Sequence, residues 1–135
     1  MSTRSDIYTL SMDELARLSY NDPAAFRIDP AAMTEAQRAG LAANRAALRV
    51  YGGARMADPG LYGRLAAIAC PTLVIWGEAD RIVDPGYGRA YAAAIPGARF
   101  EVLRGTGHLP QLEAPRQLMR AVWDFAVAPA ARQHS

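Results

Sequence analysis

The chain has 135 residues, enough for one domain, and its 15 basic residues, all arginines, lie scattered among 13 acidic ones to give a net charge of +2. This mixed surface argues against nucleic-acid binding, which requires a basic patch or stripe. No apolar run approaches the roughly 18 to 20 residues of a membrane span and no signal peptide is evident, so we expect a cytoplasmic protein that binds no membrane.

Residues 1–64 read as short helices with clear start signals. Ser11 with Glu14 forms a capping box, and Thr34 with Gln37 forms another, each ahead of an amphipathic stretch. Two Asp-Pro pairs, at positions 22–23 and 58–59, each predict a capping aspartate followed by a proline in the first helical turn. The N-terminal segment should therefore be mainly helical.

The apolar stripes of these helices are too narrow to form a core by themselves. Leu41 and Leu48 make one such stripe, and Asn44 lies between them on the same helix face. Two interpretations of Asn44 stay open: a side chain that faces a ligand cavity, or a structural amide with its hydrogen bonds satisfied. We expect the whole layer to lie on another part of the protein.

The pattern changes at Cys70, where "CPTLVIWG" is a short apolar run bounded by Pro71 and Gly77. Such a run predicts a strand buried on both faces. The single cysteine of the chain, at the start of this run, is predicted to be a buried core thiol.

A helix, a second strand and a last helix follow. Asp84 and Pro85 start a helix that runs to about Ile95, and "ARFEVL" alternates as a strand. The segment "APRQLMRAVWDFA" predicts a final helix whose apolar stripe is formed by Leu118, Val122 and Phe125. Residues 65–127 are thus predicted to form a βαβα unit with two parallel strands, an α/β arrangement, and residues 128–135 a flexible tail.

Two loops follow the ends of these strands and carry Asp80 and His108, which are 28 residues apart. Because the carboxyl ends of parallel strands meet at one sheet edge, the two side chains should lie side by side. A carboxylate that accepts a hydrogen bond from one imidazole nitrogen leaves the other free to take a proton from a nucleophile. The residues alone leave a second interpretation open, a surface-loop histidine near a helix-capping aspartate.

Two further residues stand close to these loops. Trp76, at the end of the first strand, either lines a substrate pocket or packs in the core. Glu113 precedes the last helix, and we interpret its charge as support for the helix N-terminus in preference to a catalytic role.

The segments that hold these residues resemble the C-terminal part of the α/β-hydrolase fold family. "PTLVIWGEADRIV" is similar to the family segment of the triad acid, which maps onto Asp80, and "GTGHLPQLEAP" to that of the triad histidine, which maps onto His108. Residues 8–64, including "ANRAALRVYG", are similar in character to the lid that small bacterial members insert over the active site. The resemblance implies hydrolysis of an ester, lactone or related bond of a small apolar substrate, without metal or cofactor.

The family's nucleophile precedes the acid and the histidine, on a G-x-S-x-G turn between a strand and a helix. No serine here stands in such a turn, and neither Cys70 nor Asp58 does; the serines are Ser2, Ser5, Ser11, Ser19 and Ser135. We therefore interpret the chain as the second half of an enzyme, inactive alone, that needs a complementing N-terminal half. The alternative is a non-catalytic remnant that binds a partner or forms a homodimer through the open sheet edge.

Overall fold

The computed structural model describes residues 9–53 and 57–128. In chain order, these contain α1 (Met12–Ser19), a 3-10 turn (Pro30–Ala32), α2 (Glu35–Gly52), α3 (Leu61–Leu65), β1 (Leu73–Gly77), α4 (Pro85–Ala93), β2 (Arg99–Leu103), α5 (Pro110–Glu113) and α6 (Pro115–Ala126). No helix in the described part of the chain is long and apolar enough to cross a membrane.

The strands form a parallel two-stranded sheet among the described residues, with Leu73 opposite Arg99 and Gly77 opposite Leu103. Both strands therefore end at the same edge, where the loops that follow them begin. This confirms the predicted α/β arrangement with two parallel strands. Most β1 residues are half-buried, less than predicted, because each strand has a neighbour on one side only.

Helices α4 and α6 cover the two faces of this sheet. The Trp76 ring lies against Gly88 of α4, and the Arg89 guanidinium lies over the Phe100 ring at 4.9 Å. Arg99, whose side chain points to the opposite face, lies over the ring of Phe125 in α6 at 5.7 Å. The apolar residues that are buried in this unit include Ala92, Ile95, Leu103, Ala114 and Ala121.

Both predicted capping boxes are present. The Ser11 hydroxyl accepts the backbone N–H of Glu14, whose carboxylate in turn accepts the N–H and the O–H of Ser11. These hydrogen bonds lower the pKa of Glu14. Thr34 and Gln37 repeat the reciprocal pair at the start of α2.

Replacing Ser11 by alanine should lower the free energy of unfolding by about 1 kcal/mol, because the Glu14 N–H loses its acceptor. Urea denaturation followed by circular dichroism measures this change. Ser11→Asp, which keeps a capping oxygen, is the matched control and should stay near wild type. Equal midpoints for Ser11→Ala and wild type would show that the box contributes nothing to stability.

The Asp-Pro pairs do not cap helices as predicted. The Asp22 carboxylate accepts the N–H groups of Ala24 and Ala25, but the backbone there makes a turn and no helix follows directly. Asp58 accepts the Gly60 N–H and pairs with Arg64, and α3 begins only at Leu61. In both places the short aspartate side chain stabilises a local turn instead of a helix start.

Two predictions about burial are wrong. Cys70 is exposed, because β1 begins only at Leu73 and the thiol lies in the bend that precedes it. Val122 is 42% exposed, and the face of α6 that is turned to the sheet carries Ala121 instead, between Leu118 and Phe125. At about 100° per residue, both 118, 121 and 125 and 118, 122 and 125 fit one helix face, so the periodicity alone does not distinguish Ala121 from Val122.

The predicted lid layer is sparsely packed within the described residues. Helix α2 has no buried residue: Leu41 is half-buried, Leu48 is 42% exposed and Asn44 is exposed. Helix α1 is held mainly through its C-terminal end, where Ser19 is buried. The N-terminal segment thus contacts the βαβα unit at the end of α1 more than along α2.

Candidate functional site

Asp80 lies in the turn that follows β1, and its carboxylate is fixed by three hydrogen bonds. One oxygen accepts the backbone N–H groups of Ile82 and Val83, each at 2.9 Å. The other lies 2.9 Å from Nδ1 of His108. Because the side chain is only 4% exposed and both oxygens are engaged, the carboxylate has one orientation.

The predicted adjacency of Asp80 and His108 is therefore confirmed. An ionised carboxylate can only accept, so with Asp80 in that form the contact requires the proton on Nδ1 and leaves Nε2 to contact a reacting group. The imidazole is 38% exposed, in contrast to the buried carboxylate. A buried acceptor behind an accessible ring is the arrangement that general-base catalysis requires.

Backbone hydrogen bonds join the two loops. The N–H of Glu78 donates to the Leu103 carbonyl at 2.9 Å, and the N–H of Ala79 donates to the Thr106 carbonyl at 2.8 Å. Thr106 is fully buried. These bonds continue the strand pairing beyond β1 and β2 and set the distance between the acid turn and the histidine loop.

The loops also approach each other too closely for a side chain at Gly77. A Cβ atom at Gly77 would stand 2.0 Å from the Gly107 carbonyl oxygen and 2.5 Å from that of Thr106. A Cβ at Gly107 would stand 2.2 Å from the Ser19 carbonyl oxygen. Both glycines are required by close backbone contact, and the second contact is with the end of α1.

The C-terminal end of α1 rests on both loops. The Arg81 guanidinium donates to the Arg17 carbonyl at 3.0 Å. The backbone N–H of Arg81 donates to the Leu18 carbonyl at 3.1 Å. The Ser19 carbonyl accepts the backbone N–H of His108 at 2.6 Å. The last turn of α1 is thus a structural support of the Asp80–His108 pair.

The hydrogen bonds of Glu113 lie away from the helix end that its charge was predicted to support, and that charge role stays a prediction. Its carboxylate makes no cap at the start of α6. Instead, it accepts backbone N–H groups from Asn21 at 2.7 Å, from Asp22 at 3.2 Å and from Gly107 at 2.5 Å. The side chain turns back toward the histidine loop and the end of α1, where its carboxylate is the acceptor for these three N–H groups.

An apolar cavity of about 110 Å³ opens beside the histidine loop. The cavity is lined by α1, by the segment after it and by Leu109, which follows His108. The lining residues include Met12, Leu15, Ala16, Phe26 and Ile28. The stacked rings of Tyr20 and Phe26, 4.8 Å apart, form one wall. The cavity therefore offers a small apolar surface that reaches Leu109, the residue directly after His108.

The two residues predicted to line a pocket do not line this cavity. The Trp76 indole N–H donates to the Val83 carbonyl at 3.0 Å, and its ring packs on Gly88 and near Tyr87 of α4. This contact agrees with core packing. The Asn44 side chain is exposed. A pocket role for either residue stays a prediction.

Sequence reasoning missed three residues that support the pair: Arg81, Ser19 and Glu113. Arg81 directly follows Asp80, and this position was the only feature of the sequence that indicated a role near the site. Ser19 acts through its backbone carbonyl, which any residue type supplies. The described residues hold no group of three or more His, Cys, Asp or Glu side chains that would bind a metal ion.

Comparisons with known proteins identify relatives of this chain. The sequence model of the Alpha/beta hydrolase family matches residues 3–121. Over 65 residues, the chain is 43% identical to a 2-hydroxy-6-oxononadienedioate/2-hydroxy-6-oxononatrienedioate hydrolase of Cupriavidus pinatubonensis, which covers 47% of this chain and 22% of that protein. Over 58 residues, it is 34% identical to monoacylglycerol lipase abhd6-A of Xenopus laevis, covering 43% of this chain and 17% of that protein.

A solved structure matches nearly the whole chain. A thermophilic esterase from Thermogutta terrifontis superposes with a TM-score of 0.62 at 25% sequence identity. The match covers 96% of this chain and 47% of the esterase chain. In all three comparisons, the chain spans less than half of the relative's own length.

Proposed function

Since this chain belongs to the alpha/beta hydrolase family, we propose that Asp80 and His108 are the acid and the base of a hydrolase. The observation that carries the proposal is the 2.9 Å contact between Nδ1 of His108 and the buried carboxylate, at the carboxyl ends of two parallel strands. The nucleophile and the oxyanion donors come from a complementing N-terminal part.

The chemistry follows from the orientation of the ring. With Nδ1–H bonded to Asp80, Nε2 of His108 takes the proton of the nucleophile as that nucleophile attacks the substrate carbonyl. The carboxylate stabilises the imidazolium that forms, and Nε2 then returns the proton to the leaving group. Backbone donors for the oxyanion, each contributing about 3 to 4 kcal/mol to the transition state, belong to the complementing part.

The cavity beside His108 supports a small apolar substrate. Its volume of about 110 Å³ admits a short hydrocarbon group, and its lining is mainly apolar. Among the similar proteins, one is named an esterase and another a monoacylglycerol lipase. We propose an ester, a lactone or a related bond as the substrate class, with residues 1–64 as the lid.

The unpaired edge of β1 supports the need for a complement. In the described part of the chain, β1 pairs with β2 alone, so its other edge presents free backbone groups. We propose that strands of an N-terminal half pair there; a second copy of this chain is the other occupant. The sheet would thereby gain the strands that two alone lack for stability.

Expression of the chain joined to its upstream coding sequence tests the function. If that sequence encodes a serine on a strand-to-helix turn, the joined protein should hydrolyse short p-nitrophenyl esters, and His108→Ala should abolish the reaction. The chain alone should show no turnover that depends on His108. An upstream sequence that encodes no nucleophile, together with no ester hydrolysis by the joined protein, would identify a non-catalytic binding module instead.

A further inference from the structure

We infer that Glu113 is a positioning residue, which fixes the orientation of the His108 ring by tying the histidine loop to the end of α1. The inference rests on the proposed role of His108 as the base. It concerns the placement of the ring, however, which is measurable without turnover.

The Glu113 carboxylate bridges two parts of the chain that are distant in sequence. One oxygen accepts the N–H groups of Asn21 and Asp22, directly after α1, 92 and 91 residues away. The other accepts the N–H of Gly107 at 2.5 Å. A single half-buried side chain therefore satisfies three backbone donors on both sides of the contact between α1 and the loop.

This bridge controls the residue next to the ring. Gly107 immediately precedes His108, and the His108 N–H is itself bound to the Ser19 carbonyl at 2.6 Å. The two adjacent N–H groups are thus held by Glu113 and by the last turn of α1. If either contact loosens, the His108 backbone moves, and a shift of about 0.7 Å along the bond lengthens the 2.9 Å contact to Asp80 beyond hydrogen-bond range.

The carboxylate form of Glu113 suits this bridge. A carboxylate accepts hydrogen bonds on both oxygens, and all three partners of Glu113 are N–H donors. A glutamine of the same shape has one acceptor oxygen, and its NH₂ group would face the N–H of Gly107 or those of Asn21 and Asp22. Leaving such a partly buried donor unpaired is unfavourable, which favours movement of the loop.

The tautomer of His108 provides the test. In the ¹⁵N-labelled chain at about pH 8, where an ordinary imidazole is neutral, the ring nitrogen shifts should show the proton on Nδ1. His134→Gln removes the only other imidazole from the spectrum. Glu113→Gln should lose the Nδ1–H signal, with a mixture of tautomers in its place, and should shift the amide signals of Gly107 and Asn21.

Glu78→Gln is the matched control. It makes the same change of charge at a carboxylate that bonds the same loop, but through the single N–H of Gly105 at 3.0 Å. We expect it to keep the wild-type ring signal. The inference is overturned if folded Glu113→Gln retains that signal, or if Glu78→Gln loses it equally.

If Glu113→Gln does not fold, as judged by circular dichroism, Glu113→Asp takes its place. The shorter side chain keeps the charge but reaches only one side of the contact, so the same loss of the Nδ1–H signal is expected. A wild-type ring spectrum in this variant would contradict the inference. Failure of ester hydrolysis with an intact Nδ1–H signal would instead count against the proposed function alone.

Discussion

Replacing Asp80 by asparagine should lower kcat about 10⁴-fold in the enzyme completed by its N-terminal part, with the fold retained. The amide is nearly isosteric with the carboxylate, so its oxygen still accepts the N–H groups of Ile82 and Val83. Its NH₂ group then faces Nδ1 of His108, which must give up its proton. The ring then carries its proton on Nε2, the nitrogen that has to accept the proton of the nucleophile.

Ester hydrolysis and circular dichroism together measure this effect. Asp84→Asn is the matched control, since Asp84 caps α4 four residues further on and asparagine caps a helix equally well. We expect wild-type kcat for that variant. A folded Asp80→Asn enzyme with kcat within tenfold of wild type would show that the Asp80–His108 contact is structural only.

Replacing Gly77 by alanine should lower the free energy of unfolding by about 3 kcal/mol and displace the histidine loop. The new methyl group would stand 2.0 and 2.5 Å from two backbone carbonyl oxygens, those of Gly107 and Thr106. Backbone atoms cannot rotate away as the end of a side chain can. The loops must separate, which also breaks the hydrogen bond from Ala79 to Thr106.

Urea denaturation of Gly77→Ala measures the loss. Gly40→Ala is the control, because Gly40 lies inside α2 with no atom within 4 Å of the added methyl group. Alanine there should stabilise the protein slightly, by about 0.5 to 1 kcal/mol. Equal unfolding midpoints for Gly77→Ala and wild type would mean that the two loops separate without cost.

The strands and the site pair were predictable because their signals are local. β1 is a continuous apolar run, and the separation of 28 residues between Asp80 and His108 is that of one strand, helix and strand. The capping boxes were predictable for the same reason, since each involves residues three apart. Where an interaction lies within one element or one crossover, residue types and spacing determine it.

The supports of the site were not predictable in this way. Glu113 stands just before a helix, and its local surroundings favour a helix-end role. Two of its three backbone partners, Asn21 and Asp22, are 92 and 91 residues away. The exposure of Cys70 likewise depends on where β1 begins to pair, which the apolar run from residue 70 does not indicate. Contacts between distant segments depend on the assembled fold.

The docking of α1 on the two loops has a consequence for the order in which the chain folds. The Asp80–His108 contact closes a loop of 28 residues, whereas the contacts of Arg81 with Arg17 and of Glu113 with Asn21 span 64 and 92 residues. Longer closures cost more conformational entropy and slow the contacts that depend on them. We therefore expect the acid and the histidine to meet first, within a growing βαβα unit, and α1 to dock on the two loops afterwards.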